Sequence, residues 1–233
     1  MARLVLVTRP QPGAADTAER LRASGWTPLL APMLGITPRA ATFPPREAAQ
    51  ALLVTSANAL AGIPALWRSC PVFAVGAATA ARARALGFNQ VTSADGDATA
   101  LAALAATRLD RAGGALLVAH GQNQGDTLCA ALQGGGFRVW RAVTYEAVPA
   151  ARLSAPAREA WRRGEIGAAL VFSAETGRAL VAAVARDGLA AEAGKITACA
   201  ISAHAAAAIC PLPWATLRVA LRPDQESLLA LLT

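Results

Sequence analysis

The stretch Ala115–Pro149, ALLVAHGQNQGDTLCAALQGGGFRVWRAVTYEAVP, is a second copy of Leu4–Pro38, LVLVTRPQPGAADTAERLRASGWTPLLAPMLGITP. Laid with Ala115 on Leu4, the two run without a gap. Leu132 falls on Leu21, Gly136 on Gly25, Phe137 on Trp26, Gln122 on Gln11 and Pro149 on Pro38. Each copy reads as an apolar strand, a polar turn, an amphipathic helix, a glycine stop and a second strand. A repeat constrains the fold more than any other feature, because the same local physics must apply twice. Tyr145, the only tyrosine, stands at the exit of the second copy.

The rest of the chain also comes in pairs. After the first copy, extended runs at Ala51–Val54, Val72–Val75 and Gln90–Thr92 are each followed by a helical pattern; the last of these spans Ala98–Leu109. After the second copy comes a surface helix at Ala155–Arg163. Runs at Ala169–Phe172, Ala198–Ile201 and Leu217–Leu221 then follow, with Leu228–Leu232 closing the series. The loops agree as well. Ser173-Ala174-Glu175 echoes Ser56-Ala57-Asn58, and Ser202-Ala203-His204 echoes the turn at Gly76–Thr79. Four units thus occur twice, and alternating strands and helices call for parallel sheets. Each set supplies five strands.

Two pairings of the units are open. In the plain one, each half of the chain is a domain. In the crossed one, the first copy joins the last three units and the second copy joins the middle three. Pro32, Pro38 and Pro149 punctuate both exits, where proline stiffens extended chain. Two matching exits favour the crossed form. Residues 1–36 with 148–233 are then one discontinuous α/β domain, 40–145 the other, and 36–40 and 145–150 are linker strands.

Composition narrows the chemistry. Hydrophobic residues are 55% of 233, enough for large cores. Lys and Arg number 22 against 15 Asp and Glu, a net charge of +7. That balance suits an acidic partner. The arginines are scattered and aromatics are only 5%, which speaks against a base-stacking nucleic-acid platform. Cys70, Cys129, Cys199 and Cys210 have no CxxC spacing and no histidine at ligand distance along the chain. They suggest neither zinc nor disulfides, and fit a reducing compartment. MARLVLV runs into a strand with no signal-like core, and Thr197–Leu212 is too short and interrupted to span a bilayer.

In parallel α/β sheets, ligands bind beyond the carboxyl ends of the strands, where helix N-termini suit anions. That places Arg9, Thr55, Ser56, Ala57, Asn58, Gly76, Thr79, Ser173, Ala174, Ser202 and His204 on the binding rims. The plainer role for each Ser, Thr or Asn is a helix N-cap. No GxGxxG, GxxxxGK[ST] or GxSxG occurs, and His120 and His204 stand alone. No metal or cofactor motif is visible.

The ordered set of motifs resembles the uroporphyrinogen-III synthase family. It comprises VTRP at Val7–Pro10, LVTSANA at Leu53–Ala59, VFAVGAATAARARALGF at Val72–Phe88 and VTYEAVP at Val143–Pro149. LVFSAE at Leu170–Glu175, AIS at Ala200–Ser202 and VALRP at Val219–Pro223 complete it. The resemblance implies two flavodoxin-like domains with parallel five-stranded sheets, joined by a two-stranded linker. It implies a monomeric cytoplasmic enzyme of tetrapyrrole synthesis, without cofactor or metal. Its substrate would be hydroxymethylbilane, a polycarboxylate cyclised with loss of water and inversion of the last ring. Tyr145 matches the family's tyrosine near the leaving hydroxyl, Thr79 the threonine of the VGxxTA turn, and Ser56 and Ser173 the serines of carboxylate-binding loops. The loop Gly121–Asp126 lacks the arginine that many members carry there. Ser202-Ala203-His204 replaces a Gly-x-x-Thr-like turn, with Ala205 opposite Thr79. The alternative is a non-catalytic two-lobed module binding an anionic metabolite; a nucleic-acid protein is the weaker rival.

Overall fold

The structure, a computed structural model, describes residues 4–232. Residues 1–3 and 233 of the expected first domain lie outside them. The first copy gives strand β1 (Leu4–Val7), helix α1 (Gly13–Ala23) and strands β2 (Thr27–Leu30) and β3 (Leu34–Pro38). The middle gives β4 (Ala49–Val54), β5 (Val72–Ala74), α2 (Ala77–Ala85), β6 (Val91–Ser93) and α3 (Ala98–Arg108). The second copy gives β7 (Ala115–Gly121), α4 (Asp126–Gly134) and β8 (Val139–Pro149). Then follow α5 (Ala155–Arg162), β9 (Ile166–Val171), α6 (Ala174–Arg186), β10 (Thr197–Ala200), α7 (Ala203–Ile209), β11 (Thr216–Val219) and α8 (Gln225–Leu229).

The copies fold alike for a local reason. α1 and α4 both end at a glycine in the left-handed region, Gly25 at φ +80 and Gly136 at φ +85. In each case the next amide reaches back to close the helix: Trp26 N–H to the Leu21 carbonyl at 2.9 Å, Phe137 N–H to the Leu132 carbonyl at 3.1 Å. That geometry needs a residue without Cβ. The copies differ at one place. Pro32 stands in the gap between β2 and β3, and its counterpart Val143 lies inside the unbroken β8. Proline cannot donate to a ladder, so the same stretch is two strands in one copy and one in the other.

The chain forms two compact units, Met1–Gly35 with Val148–Thr233 and Ile36–Ala147. The first holds a five-stranded sheet in the order β11-β10-β9-β1-β2, its pairings parallel. The second sheet has six strands, β3-β8-β7-β4-β5-β6. Five were expected here; β3 adds the sixth at the edge. The Met33 carbonyl accepts from Ala150 N–H and the Thr144 carbonyl from Arg39 N–H. β3 therefore runs opposite to β8, while β8, β7, β4, β5 and β6 pair in parallel.

The central strands β1, β4, β7, β9 and β10 are buried on both faces, as parallel sheets covered by helices require, while the edge strand β11 is exposed. Along β4, Leu52 and Val54 join one layer with Trp67, Val72 and Leu117. Ala51 and Leu53 join the other with Leu101, Leu116, Leu128 and Leu132. In the first unit, Val5, Val7, Leu21 and Leu170 share a layer. Each fully buried leucine contributes about 1.5–3 kcal/mol. The segment after β4, expected as a helix, is instead 3-10 from Ala57 to Gly62, followed by another 3-10 turn at Ala65–Ser69. Pro64 and Pro71 cut these segments short, since the residue before proline avoids the α region.

Candidate functional site

Each sheet presents the carboxyl ends of its parallel strands along one rim, and the residues singled out by the sequence fall on the two rims as two groups. On the first unit, Arg9 follows β1, Ser173 and Ala174 follow β9, and Ser202 to His204 follow β10, three neighbouring strands. Ser173 caps α6: its Oγ accepts from Thr176 N–H at 3.1 Å and donates to Thr176 Oγ1 at 2.9 Å. Ser202 caps α7 by accepting from Ala205 N–H at 3.2 Å. His204 is exposed and Ala174 buried. Both serine hydroxyls are thus used within the helix starts. What a helix start leaves for a ligand is its first amides, which have no partner inside the helix.

Arg9 sits on this rim but turns inward. Its guanidinium lies 4.5 Å from the Phe172 ring centroid. Its Nη1 donates to Gln225 Oε1 at 2.8 Å and to Thr17 Oγ1 at 3.4 Å. A Cβ on Gly13 would come within 2.5 Å of it, so the planar group rests flush on the start of α1. Burial pushes its proton affinity below the ordinary arginine value, and the charge of Asp16 works the other way.

On the second unit, Thr55 to Asn58 follow β4, and Gly76 to Thr79 lead into α2. Ser56 Oγ accepts from Asn58 N–H at 3.2 Å. Gly76 caps α2 without a side chain, and open space surrounds the position where a Cβ would stand. Thr79 is buried in the first turn of α2, while Ala77 and Ala78 are less enclosed. The small residues leave the backbone of this turn approachable.

Tyr145 is 3% exposed and packs in the core layer of Leu52 and Leu117. Its ring lies against Gly121, where a Cβ would come within 2.6 Å of Tyr145 Cζ. Its hydroxyl donates to Gln124 Oε1 at 2.8 Å, and its carbonyl accepts from Gln122 N–H at 2.8 Å. The loop after β7 is therefore tied to Tyr145 at both ends of the residue. Arg141 braces that loop: it donates to the Gln124 carbonyl, to Asp126 Oδ1 and to His120 Nε2. Beside it opens a cleft of about 430 Å³, lined among others by Arg39, Thr42, Gln122, Trp140 and Arg141. Arg39 pairs with Glu146 and with Gln122.

The loop Gly121–Asp126 and a solitary His120 are named from the sequence, but no role is given there to Gln124 or Arg141. The available signal for Gln124 is positional: its loop follows β7 as the Arg9 loop follows β1, whereas His120 lies in β7 and Arg141 in β8. Among the described residues, no group of three or more His, Cys, Asp or Glu is placed to hold a metal ion.

A family model described as uroporphyrinogen-III synthase HemD matches residues 15–230. The chain belongs to the uroporphyrinogen-III synthase family. Two solved structures share the fold of its members. The synthetase from Helicobacter pylori is 16% identical, with 100% of this chain and 98% of that one covered at a TM-score of 0.63. A mutant uroporphyrinogen III synthase from the extremely thermophilic bacterium Thermus thermophilus is 19% identical, with 99% and 97% covered at 0.56. No curated protein sequence matches the chain. The serine hydroxyls of both rims cap the turns and helices that follow them.

Proposed function

We infer that this chain cyclises hydroxymethylbilane to uroporphyrinogen III, with loss of water and inversion of the last ring. The single observation that carries this is the family match over residues 15–230. The enzyme family also disfavours the alternative of a non-catalytic binding module. The substrate is a flexible polyanion that loses its hydroxyl readily to give a cationic azafulvene. Catalysis is then chiefly orientation: the bilane must be folded so that the substituted carbon of the last ring is attacked. The helix starts at Ala174 and at Ala77 offer backbone amides to carboxylate arms, and this use of backbone agrees with serine hydroxyls already occupied as caps. The positively charged chain draws the substrate in.

Tyr145 is the proposed acid for the leaving group. It donates a hydrogen bond to the departing hydroxyl as the C–O bond breaks, and the pyrrole electrons neutralise the carbon left behind. Its place beside the end of β7 and a hydroxyl already oriented as a donor support that role. The remaining site residues are proposed as substrate contacts because they follow the carboxyl ends of parallel strands: Arg9, Thr55, Ser56, Ala57, Asn58, Gly76, Thr79, Ser173, Ala174, Ser202 and His204.

We propose two flavodoxin-like domains, 1–36 with 148–233 and 40–145, joined by linker strands at 36–40 and 145–150. Support comes from the compact units and from the order β2-β1-β9-β10-β11, the 2-1-3-4-5 succession of that fold. The chain is proposed to act as a cytoplasmic monomer with no nucleic-acid partner. The free thiols of Cys70, Cys129 and Cys199, all buried, suit a reducing compartment. Among the described residues, no helix is long and apolar enough to cross a membrane.

The test supplies preformed hydroxymethylbilane to purified protein and separates the ring isomers. Type III product is expected; type I product alone would sink the reading. Tyr145→Phe should lower turnover by about tenfold to a few hundredfold, within the loss seen when one such donor is removed. Turnover equal to wild type would leave Tyr145 as a packing residue.

A further inference from the structure

A cluster of polar side chains from β7, β8 and the loop between β7 and α4 is wired to the Tyr145 hydroxyl. Gln124 accepts the phenolic hydrogen at 2.8 Å. Its own backbone is held on both sides. The Gln124 N–H donates to the Gly121 carbonyl at 3.1 Å, and its carbonyl accepts from Arg141 Nη2 at 3.2 Å. The loop reaches this shape through two left-handed residues, Asn123 at φ +59 and Gly125 at φ +83. Arg141 is fixed in turn by Asp126 and by His120, whose Nε2 lies 3.3 Å from Arg141 Nε. His120 is 1% exposed, and its Nδ1 faces the Gly121 carbonyl at 2.8 Å. A carbonyl requires a donor and a guanidinium an acceptor, so His120 carries its hydrogen on Nδ1 and offers the Nε2 lone pair to Arg141.

We propose that Gln124 is the positioning residue for the Tyr145 hydroxyl, held in place by Arg141 and His120. The proposal deepens the role given to Tyr145 above and rests on it. The chemistry of the acceptor is the argument. A neutral amide oxygen fixes the direction of the O–H rotor through a hydrogen bond of ordinary strength. A leaving hydroxyl that gathers negative charge makes a charge-assisted bond roughly twice as strong, and so draws the hydrogen away from the amide. A carboxylate at the same place would hold that hydrogen against the leaving group. A structural need to satisfy a buried phenol would accept either one.

The test compares Gln124→Ala and Gln124→Glu, each alone and with Tyr145→Phe. Turnover with hydroxymethylbilane should fall about tenfold in Gln124→Ala, the scale of a lost orienting contact. Gln124→Glu should fall at least as far at neutral pH and recover as acid protonates the new carboxyl. In the Tyr145→Phe background neither change should slow the enzyme further. Because Tyr145 is the only tyrosine, protein grown on tyrosine isotopically labelled at Cζ gives a single NMR line for it. That line should move in both variants, with melting temperature reported alongside. An unmoved line, a Gln124→Glu enzyme as fast as wild type at neutral pH, or an equal loss in the Tyr145→Phe background would each overturn the proposal. Wild-type protein that makes no type III ring would instead fail the functional reading, so the two failures are told apart.

Discussion

Gly121 is the residue on which the placement of Tyr145 turns. The β7–β8 register shifts after His120, which pairs with Val143; Thr144 of β8 is the extra residue of this bulge, so that Gly121 stands opposite Tyr145. An added methyl there would meet Tyr145 Cζ at 2.6 Å and Gln124 Oε1 at 3.0 Å. Gly121→Ala should therefore displace both partners of the hydroxyl bond. Overpacking of this sort costs about 1–3 kcal/mol, and the expected signature is a drop in turnover much larger than the drop in melting temperature predicts. Equal, proportionate losses would show that the ring can shift without harm. In the sequence, Tyr145 and Thr79 stand out by rarity and motif, and the serines by their place before helices. Gln124 and Arg141 do not. Their bonds depend on that bulge and on two left-handed backbone residues, which no spacing rule encodes.

Among the elements, the glycine stops, the strand runs and the pairing of loops are legible because each is decided within a few residues. Pro32 shows the limit of that locality: it predicts a break, and the break is there, yet its counterpart Val143 lets β8 run on through Pro149. The 3-10 turns after β4 escape a periodicity argument, since Pro64 and Pro71 act on chain too short for a pattern to establish itself. A tertiary clasp between α5 and α6 is equally invisible in sequence. Asp187 caps the end of α6 with no exposed side-chain surface. It accepts from Leu153 N–H at 3.0 Å and pairs with Arg152 at 2.7 Å and Arg158 at 3.7 Å. Burial alone would raise its proton affinity; the Leu153 amide and the two guanidiniums outweigh it and hold the carboxyl below its usual range. The unfolded chain then binds more protons than the folded one between the lowered and the ordinary value, so stability rises with pH across that window. The contribution is complete above about pH 4, the ordinary carboxylate range, and is lost as pH falls through the lowered value. Asp187→Asn should melt lower than wild type at neutral pH and show a shallower decline of melting temperature on acidification. An unchanged acid slope would remove Asp187 from the account.

For the molecule as a whole, the net charge of +7 bears on encounter rather than on fold. Raising ionic strength from about 0.01 to 0.15 M shortens the screening length from about 30 to 8 Å. The kcat/KM for the polyanionic substrate should fall several-fold over that range with kcat little changed; a flat profile would mean that long-range attraction plays no part. The division of the chain into units has a different outcome, in time. Translation delivers β1 and β2 first, yet β1 lies between β2 and β9, and β9 is made only after the whole of Ile36–Ala147. The inner unit can close while its neighbour still lacks the middle and far edge of its sheet. Through that interval Val5, Leu6 and Val7, all buried in the finished protein, are nascent apolar chain with no sheet to enter. A ribosome that stalls or terminates shortly after Val148 therefore releases a sound inner unit carrying a sticky leader, a product prone to clump although most of what has been made is folded.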